Sequence, residues 1–380
     1  MRMHAGRLWW TPVRPGLIAL ALLIFLCQKL GAGAPQEPDD AQRAEVAADA
    51  LQAWYSAASG LYRTTGWWNS ANAITALADE SRVSGSKKYW PVFSNTFIAA
   101  QTTSPGFLNK FYDDEGWWAM AWIDVYDLTR EARYLTMAQS IFADMAGGWD
   151  DTCAGGIWWS KDRKYKNAIA NELFLDVAAA LANRTEGAEH RGYAEWAEKE
   201  WRWFAQSGMI NASRLINDGL SSDGKNGACV NNGKTEWSYN QGVILGGLAE
   251  LAKSEHDDTL LPEAQQVAEA AMTTLTDAQG ILHDACEPKC GADGTQFKGI
   301  LLRNLRILND AQSVHGYESF VHANAESVWA QTRRHHDRLG AQWAAPYGVA
   351  NASSQSSALD LLVAAAALAA KSPQSEQPRH

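Results

Sequence analysis

The sequence lacks the features that mark several large classes of protein. It contains no convincing run of alternating β-branched residues, which argues against a fold built on β-sheets. Basic residues are fewer than acidic ones, 33 against 43, and the net charge of -10 argues against nucleic acid as a partner. Neither a phosphate-binding glycine loop nor a nucleophilic serine–histidine arrangement stands out. We therefore expect a helical protein that does not bind nucleic acid.

Cysteine is scarce, and its spacing does not fit a metal site. The five cysteines include no CxxC pair, and no paired histidines accompany them, so we predict neither a metal site nor a cofactor. Cys27 lies in an apolar N-terminal run. The other four can pair in three ways. We favour Cys286 with Cys290 as a local clamp, and Cys153 with Cys229 as a link between two loops.

The N-terminal segment has the organisation of a secretory signal. Arg2, Arg7 and Arg14 precede an apolar run from Leu17 to Cys27, and small residues follow at 31–34. The run is short for a membrane span, although an uncleaved signal anchor is the alternative. We predict a signal peptide at residues 1–34 and a single catalytic domain at residues 35–380.

Two further features fit an exported protein. Three sequons for N-linked glycosylation begin at Asn183, Asn211 and Asn351. The last ten residues, 371–380, are polar and lack the hydrophobic tail of a lipid-anchor signal. We expect a secreted protein, extracellular or associated with a cell wall, with no stable membrane anchor after signal cleavage.

Twelve segments between Asp39 and Ala370 have the apolar periodicity of helices, among them 39–62 and 317–336. The loops before every second helix carry Trp, Asp, Asn, Tyr or Lys, and this pattern repeats about every 50–60 residues, the length of a helical hairpin with its loops. Six hairpins closed into a ring would place all inner-helix N-termini on one face. We predict an all-α fold, an (α/α)6 toroid. An elongated α-solenoid is the alternative, but it does not explain the alternation.

Tryptophan is abundant, and two adjacent acids stand at a helix start. The chain has 18 tryptophans, more than a core needs, and exposed indole rings offer flat apolar faces to sugar rings. Asp113 and Asp114 precede a helical pattern, where carboxylates suit the positive end of the helix dipole. A capped helix without chemistry is the alternative, and the pair alone does not exclude it.

Five segments, in this order, resemble the signature of glycoside hydrolase family 76, the α-1,6-mannanases. They are Asp113-Asp-Glu-Gly-Trp-Trp-Ala-Met-Ala-Trp-Ile, Gly155-Gly-Ile-Trp-Trp, Lys166-Asn-Ala-Ile-Ala-Asn-Glu-Leu, Trp237-Ser-Tyr-Asn-Gln-Gly and Phe297-Lys-Gly-Ile. The resemblance extends from about Ala44 to about Ala370. It implies an (α/α)6 fold and retaining, endo-acting hydrolysis of α-1,6-linked mannan.

By position, the resemblance makes Asp113 the nucleophile and Asp114 the general acid/base. Retaining glycosidases need two carboxyl groups roughly 5–5.5 Å apart, whereas inverting ones need about 6.5–9.5 Å. Adjacent residues have Cα atoms about 3.8 Å apart, which favours the short separation. Two close carboxylates also repel each other, so one of them keeps its proton to a higher pH.

Seven further residues are candidates for sugar binding. The aromatic candidates for a sugar platform are Trp117, Trp158, Trp159 and Tyr239. The polar candidates for hydrogen bonds to mannose hydroxyls are Asn171, Asn240 and Lys298. The alternative for the aromatic residues is packing between inner and outer helices, and for the polar residues it is capping of a neighbouring helix.

Three alternatives compete with hydrolysis of mannan. A transglycosidase of the same family would move mannan-linked glycan onto cell-wall polymer, using the same covalent intermediate. Another six-hairpin enzyme, such as an unsaturated glucuronyl hydrolase, would require basic cleft residues that the motif loops mostly lack. A non-catalytic carbohydrate-binding protein would not need Asp113 and Asp114. We expect a monomer whose partner is α-1,6-linked mannan or its oligosaccharides.

Overall fold

The structure of the protein is a computed structural model, and it describes residues 37–221, 229–312, 316–344 and 348–371. The predicted signal peptide at residues 1–34 lies outside the described residues, as do residues 372–380 of the polar tail. From Asp39 onward the chain forms one unit. Its role as a single catalytic domain stays a prediction.

Twelve helices of ten or more residues make up most of the described chain. In chain order they are α1 (Asp40–Leu51), α2 (Trp67–Ser84), α3 (Trp90–Ala99), α4 (Tyr112–Thr129), α5 (Ala132–Ala146), α6 (Ala168–Ala182), α7 (Gly187–Gln206), α8 (Ser238–Glu255), α9 (Leu261–Thr274), α10 (Phe297–Ala311), α11 (Glu318–Ser327) and α12 (Ala352–Lys371). Three antiparallel hairpins pair β1 (Tyr55–Ser56) with β2 (Leu61–Tyr62), β3 (Leu220–Ser221) with β4 (Val230–Asn231), and β5 (Arg333–Arg334) with β6 (Arg338–Leu339).

The even-numbered helices form a closed inner ring. Helix α2 packs against α4, α4 against α6, α6 against α8, α8 against α10, α10 against α12, and α12 returns to α2. The odd-numbered helices lie outside this ring, as α5 does against α4 and α6, and α1 against α12 and α2. The all-α (α/α)6 toroid predicted from the alternating loops is confirmed.

Small residues let the inner helices approach one another closely. A Cβ atom on Gly242 of α8 would lie 2.7 Å from the Cα atom of Leu301, and one on Gly299 of α10 would lie 2.4 Å from the carbonyl oxygen of Ser357. Neither position has room for a side chain, so the close contacts of α8, α10 and α12 depend on glycine. Helix α12 is apolar and long enough to resemble a membrane span, but that stretch is 89% buried, as an inner helix requires.

The two ends of the ring differ in the length of their connections. Residues 52–66, 100–111, 147–167, 207–237, 275–296 and 328–351 lead from an outer helix to the next inner one. Residues 85–89, 130–131, 183–186, 256–260 and 312–317 lead back outward. All inner-helix N-termini and the longer loops therefore share one end, the cleft end. The short loops lie at the opposite end.

The first predicted helix, 39–62, is too long. Helix α1 ends at Leu51, and a 3-10 turn at Gln52–Trp54 leads into the hairpin of β1 and β2. Tyr55 and Tyr62 pair across this hairpin, and their rings lie 5.2 Å apart. The aromatic residues beyond Leu51 therefore pair across a hairpin and do not continue the helix.

The eleventh predicted helix, 317–336, is also too long. Helix α11 ends at Ser327 and continues as a π-helical turn, Val328–Thr332, before β5 begins. His335 and His336 lie in the tight turn between β5 and β6, where His336 has a φ of 60°. Arg333 stacks on the Trp329 ring at 4.1 Å, which holds the hairpin against the helix end.

Both predicted disulfides are present. Cys153 is bonded to Cys229, across 76 positions of sequence, and Cys286 to Cys290. The first links the loop between α5 and α6 to the loop between α7 and α8, and the second clamps the loop before α10. All four cysteines therefore brace loops at the cleft end.

The three sequon asparagines are half-buried, and two of them use the amide nitrogen that would carry a glycan. Asn183 donates to a carboxylate oxygen of Glu250 over 2.7 Å, and Asn211 donates to Glu236 over 2.6 Å. The Asn351 side-chain oxygen accepts from the backbone N–H of Ser354 over 2.8 Å. Glycosylation of the three residues stays a prediction.

Candidate active site

A cavity of about 460 Å³ opens at the cleft end, over the N-termini of the inner helices. Its lining is aromatic and acidic, and none of the described residues that line it is a lysine or an arginine. The lining consists of Trp68, Phe111, Asp113, Asp114, Trp117, Trp159, Tyr165, Asn167, Asp218, Tyr239, Asp293 and Phe297.

Asp113 and Asp114 lie in the first turn of α4 and do not cap it. The N-cap residue is Phe111, so both aspartate side chains are available to the cavity. One carboxylate oxygen of Asp113 accepts the indole N–H of Trp159 over 3.0 Å, and the other is buried without a partner among the described residues. Burial, and then the charge of Asp114, raise the pKa of Asp113 well above its usual value.

The second aspartate accepts a hydrogen bond from a different element. The Asn109 amide donates to Asp114 Oδ2 over 2.6 Å from the loop before α4. Burial raises the pKa of Asp114 to about 6, although the Asn109 hydrogen bond opposes the shift. Asp293, from the loop before α10, also raises it. The two aspartates therefore titrate as a pair that keeps a proton where surface carboxyls have lost theirs.

A third acid, Glu115, is fully buried behind the pair. Its Oε1 accepts the Asn109 backbone N–H over 3.0 Å and the Lys161 ammonium over 2.8 Å. Lys161 also contacts Asp144 over 2.8 Å. Burial raises the pKa of Glu115 to about 8 in spite of the lysine. Glu115 does not line the cavity and instead holds the loop that approaches Asp114.

Stacked aromatic rings form the side of the cavity nearest the ring interior. The Trp117 ring stacks on Trp68 at 5.6 Å and on Tyr239 at 6.5 Å, and Tyr239 stacks on Phe297 at 4.0 Å. These residues come from α2, α4, α8 and α10. Because parallel aromatic faces pack well against the C–H faces of sugar rings, this stack is a candidate sugar platform.

Trp159 stands at the rim and is 37% exposed. Its ring packs against Phe111 at 4.9 Å while its N–H is donated to Asp113. The backbone fixes this position, because the Tyr112 N–H donates to the Trp159 carbonyl oxygen over 2.9 Å. The predicted site residues Asp113, Asp114, Trp117, Trp159 and Tyr239 thus meet at one cavity.

Trp158 and Asn171 do not reach the cavity, and each has other partners. The Trp158 indole donates to Asp150 over 2.7 Å. Asn171 is fully buried and hydrogen-bonds both the N–H and the carbonyl oxygen of Ile157, over 2.7 and 3.0 Å. Both residues therefore shape the loop that carries Trp159, and contact of either with a sugar stays a prediction.

Asn240 and Lys298 are also outside the cavity lining. The Lys298 ammonium is buried, forms an ion pair with Glu287 and donates to the Ala341 carbonyl oxygen over 2.8 Å. Asn240 is buried in α8, and its amide has no partner among the described residues. Contact of these two side chains with mannose hydroxyls stays a prediction.

Several lining residues were not predicted from sequence. Asp218 accepts from the Tyr165 hydroxyl over 2.5 Å, and Asp293 accepts from the Trp68 indole over 3.0 Å. Asn167 is the N-cap of α6. Each lies in a polar loop where it resembles a turn or capping residue, and only the closed ring brings it to the cavity. The position of each loop before an even-numbered helix was the available signal.

No cluster of three or more His, Cys, Asp or Glu side chains in residues 37–221, 229–312, 316–344 and 348–371 has an arrangement that could hold a metal ion. The cavity itself presents two adjacent carboxyl groups. Two adjacent acids that share a proton, beside an aromatic surface, can supply an acid and a nucleophile to a sugar.

Comparison with known proteins places this geometry among glycosidases. Mannan endo-1,6-α-mannosidase DCW1 of Saccharomyces cerevisiae is 27% identical over 273 residues, which are 63% of this chain and 57% of that protein. Mannan endo-1,6-α-mannosidase DFG5 of Candida albicans is 26% identical over 330 residues, 78% of this chain and 72% of that protein. The chain thus spans between about half and three quarters of the length of these relatives.

Solved structures share the fold. An inactive variant of the α-1,6-mannanase GH76A of Salegentibacter sp., altered at two consecutive aspartates and bound to α-1,6-mannotetrose, matches with a TM-score of 0.79 and 24% identity, over 87% of this chain and 100% of that one. Dfg5 of Chaetomium thermophilum, in complex with glucosamine, matches with a TM-score of 0.73 and 20% identity, over 87% and 90% of the two chains. The family model for glycosyl hydrolase family 76 matches residues 40–377. The chain belongs to glycosyl hydrolase family 76.

Proposed function

We propose that this protein is a secreted, retaining endo-α-1,6-mannosidase that acts on mannan, with Asp113 as nucleophile and Asp114 as general acid/base. The observation that carries the proposal is the pair itself: two adjacent carboxyl groups face an aromatic cavity whose described lining contains no lysine or arginine. The relatives named as mannan endo-1,6-α-mannosidases and the mannotetrose-bound structure support the substrate class.

The reaction proceeds in two steps. In the first, Asp114 gives its proton to the glycosidic oxygen while an Asp113 oxygen attacks the anomeric carbon, so that the leaving sugar departs and a mannosyl ester forms on Asp113. In the second, Asp114 takes a proton from water as the water oxygen attacks the same carbon. The ester bond breaks, and both carboxyl groups return to their starting state.

The proton must be on Asp114 before the first step. In the free site, burial favours the neutral form of Asp113 more strongly than that of Asp114, the reverse of this requirement. The pair shares the proton, and the Trp159 N–H stabilises the ionised form of Asp113. A glycosidic oxygen that binds next to Asp114 provides the acceptor that draws the proton to that side.

Asp113→Asn and Asp114→Asn test the proposal. Each should lower kcat/KM on linear α-1,6-mannan by at least about a thousandfold, because each removes one of the two reacting groups. Circular dichroism and the unfolding temperature show whether the variants are folded. Near-normal activity of either folded variant contradicts the proposal.

Azide as an external nucleophile separates the two roles on an activated α-mannoside. In Asp114→Ala, azide should replace water at the mannosyl ester and give α-mannosyl azide. In Asp113→Ala, azide should attack directly and give the β-anomer. Exchange of the two products between the variants would reverse the assignment.

Product length distinguishes hydrolysis from transfer. Shorter oligosaccharides with retained anomeric configuration are expected from mannan, whereas longer products would indicate the transglycosidase alternative. Unchanged mannan that is bound by the protein would indicate a carbohydrate-binding protein.

A further inference from the structure

The acid predicted to protonate the glycosidic oxygen is held by a residue that does not line the cavity. Asn109 Nδ2 donates to Asp114 Oδ2 over 2.6 Å, a shorter distance than the 3.0 Å between the Trp159 indole and Asp113. This oxygen therefore already has a hydrogen-bond partner outside the cavity lining. The other oxygen of Asp114 is left to carry the proton and face the substrate.

The Asn109 amide is fixed in orientation at both of its atoms. Its Oδ1 accepts the Phe111 backbone N–H over 2.7 Å, so the NH₂ group must point to Asp114. An amide rotated by half a turn would place an oxygen against the carboxylate and lose both hydrogen bonds. The donor is therefore set before substrate arrives.

The backbone of Asn109 is anchored as well. Its N–H donates to the buried Glu115 Oε1 over 3.0 Å, and Lys161 donates to the same oxygen over 2.8 Å. The Lys161 backbone N–H donates to the carbonyl oxygen of Lys110 over 3.0 Å. Two links thus join this loop to the Trp159 loop, which contacts the other aspartate.

We propose that Asn109 is a positioning residue that fixes which oxygen of Asp114 carries the catalytic proton, and that Glu115 anchors Asn109 for this purpose. This inference rests on the proposed role of Asp114. It adds a structural difference between the two adjacent aspartates. The Asn109 amide, from the loop before α4, hydrogen-bonds Asp114, whereas the Trp159 indole, from the loop before α6, hydrogen-bonds Asp113.

The direction of the pH effect follows from the hydrogen bond. The amide stabilises the ionised carboxylate, so its loss should raise the pKa of Asp114. The other ionisable groups near Asp114 are its neighbours on α4 and the acids and phenols across the cavity: Asp113, Glu115, Asp218, Asp293, Tyr165 and Tyr239. These groups are all acidic, and the Lys161 ammonium beside Glu115 pairs with Glu115 and Asp144. Asn109 therefore supplies the opposing influence at Asp114 itself.

Two variants test the inference. Asn109→Ala removes the amide, and Asn109→Asp keeps an acceptor for the Phe111 N–H while it replaces the donor with a carboxylate oxygen. The carboxyl ¹³C signal of Asp114, assigned by its disappearance in Asp114→Asn, should titrate about one pH unit higher in Asn109→Ala. In Asn109→Asp the last proton of the two facing carboxyls should leave at a still higher pH.

The kinetics should move with the titration. The alkaline limb of kcat/KM on mannan should shift upward by the same amount, and kcat should fall by about tenfold to a hundredfold with KM nearly unchanged, because Asn109 acts on Asp114 and not on the sugar. Asn95→Ala is the matched control. It removes an amide of the outer helix α3 that donates to Tyr55 and Ala57 in the connection 52–66. None of these three residues lines the cavity, so neither readout should move.

The outcomes separate the two proposals. If the Asp114 signal and the alkaline limb both stay in place in folded Asn109 variants, the inference is overturned while mannanase activity stands. If the wild type is inactive on mannan but the Asp114 titration still shifts, the proposed function fails and the control of Asp114 by Asn109 is retained. Glu115→Ala removes the acceptor of the Asn109 N–H and should shift the Asp114 titration toward that of Asn109→Ala, whereas Glu115→Gln keeps an oxygen there and should leave the titration unchanged. An unshifted titration in folded Glu115→Ala would contradict the anchoring role.

Discussion

The two ends of the inner ring place pairs of carboxyl groups in different surroundings. At the cleft end, Asp113 and Asp114 form no ion pair with any residue that the structure describes, and burial raises both pKa values. At the opposite end, Asp79 lies 3.1 Å from Arg306, and Glu250 lies 3.1 Å from Arg184. The arginines lower the pKa of both acids despite their burial. A guanidinium alone does not decide the outcome, because burial raises the pKa of Asp124 to about 6 and that of Asp360 to about 7 although each contacts an arginine. The contrast is therefore between these particular pairs of acids.

The same ends differ in how they are connected. The connections at the opposite end are short, such as residues 130–131, whereas those at the cleft end are as long as residues 207–237. Both disulfides brace these longer loops. The two ends therefore have different roles. Ion pairs and short turns stabilise the opposite end, whereas loops braced by disulfides hold the unpaired acids at the cleft end.

Removal of a guanidinium at the opposite end should have the largest effect on stability. Arg184→Met leaves Asp127 and Glu250 without their common partner, which lies 2.6 and 3.1 Å away, in a site where the arginine side chain is only 12% exposed. We expect the free energy of unfolding to fall by about 3–5 kcal/mol. Denaturant unfolding measures this change, and kcat/KM of the remaining folded protein should be preserved.

Arg130→Met is the matched control for this variant. Arg130 also contacts Asp127, over 3.4 Å, but its side chain is 69% exposed. Its loss should cost at most about 1 kcal/mol, because exposed ion pairs are weak. Equal costs for Arg184→Met and Arg130→Met would remove the distinction between buried and exposed pairing at this end.

The pH dependence of stability should have opposite signs at the two ends. The folded pKa of Asp114, about 6, is above its unfolded value, so its stabilising contribution is present at low pH and is lost as the pH rises through 6. Asp114→Asn should therefore gain stability relative to the wild type between pH 4 and pH 8, by on the order of 2 kcal/mol. Unfolding temperatures measured at both pH values give this difference.

Glu250→Gln supplies the contrasting case. The folded pKa of Glu250 is lowered, so its contribution is present above the unfolded pKa and is lost as the pH falls through the lower, folded value. This variant should be destabilised most at pH 8 and less at acid pH. The same sign for Glu250→Gln and Asp114→Asn would show that pairing does not separate the two ends.

Trp159→Phe should give the smallest of these effects. It removes the indole N–H that reaches Asp113 over 3.0 Å and keeps an aromatic ring at the rim. Because hydrogen bonds to charged groups are worth about 1.5–3 kcal/mol and this one is partly exposed, kcat/KM should fall by about tenfold. Trp158→Phe also removes an indole hydrogen bond, to Asp150, but outside the cavity. Steady-state kinetics should show a loss for the first variant only.

The sequence predicted the ring and the position of the aspartate pair because both leave local signals. Loop chemistry alternates along the chain, and Asp113 and Asp114 are consecutive, so neither inference required knowledge of distant contacts. The cysteine pairing was also predicted, as one clamp over four residues and one link between loops. By contrast, Asp218 and Asp293 reach the cavity only through closure of the ring, and nothing local distinguishes them from turn residues.

Polar residues on inner helices show the opposite limitation. Asn171 and Lys298 fall in segments that resemble the family signature, and both were predicted to contact sugar. In the structure, their hydrogen bonds are used by the Ile157 backbone and by Glu287. A sequence shows that a buried polar group needs a partner but does not show which one. Asn109, which approaches Asp114 from outside the motif, was missed for the same reason.

Closure of the ring also constrains when the protein can fold. Helix α12 joins the end of the chain to its beginning: the Gln355 amide donates to the Ala47 carbonyl oxygen over 3.0 Å, and the Ala352 N–H donates to the Thr64 hydroxyl over 3.1 Å. These contacts span 308 and 288 positions of sequence. Such long-range contacts form late, since the intervening chain must be ordered or its entropy overcome. During synthesis the ring therefore stays open until α12 is available, and the apolar edges of α2 and α10 that α12 covers stay exposed until then.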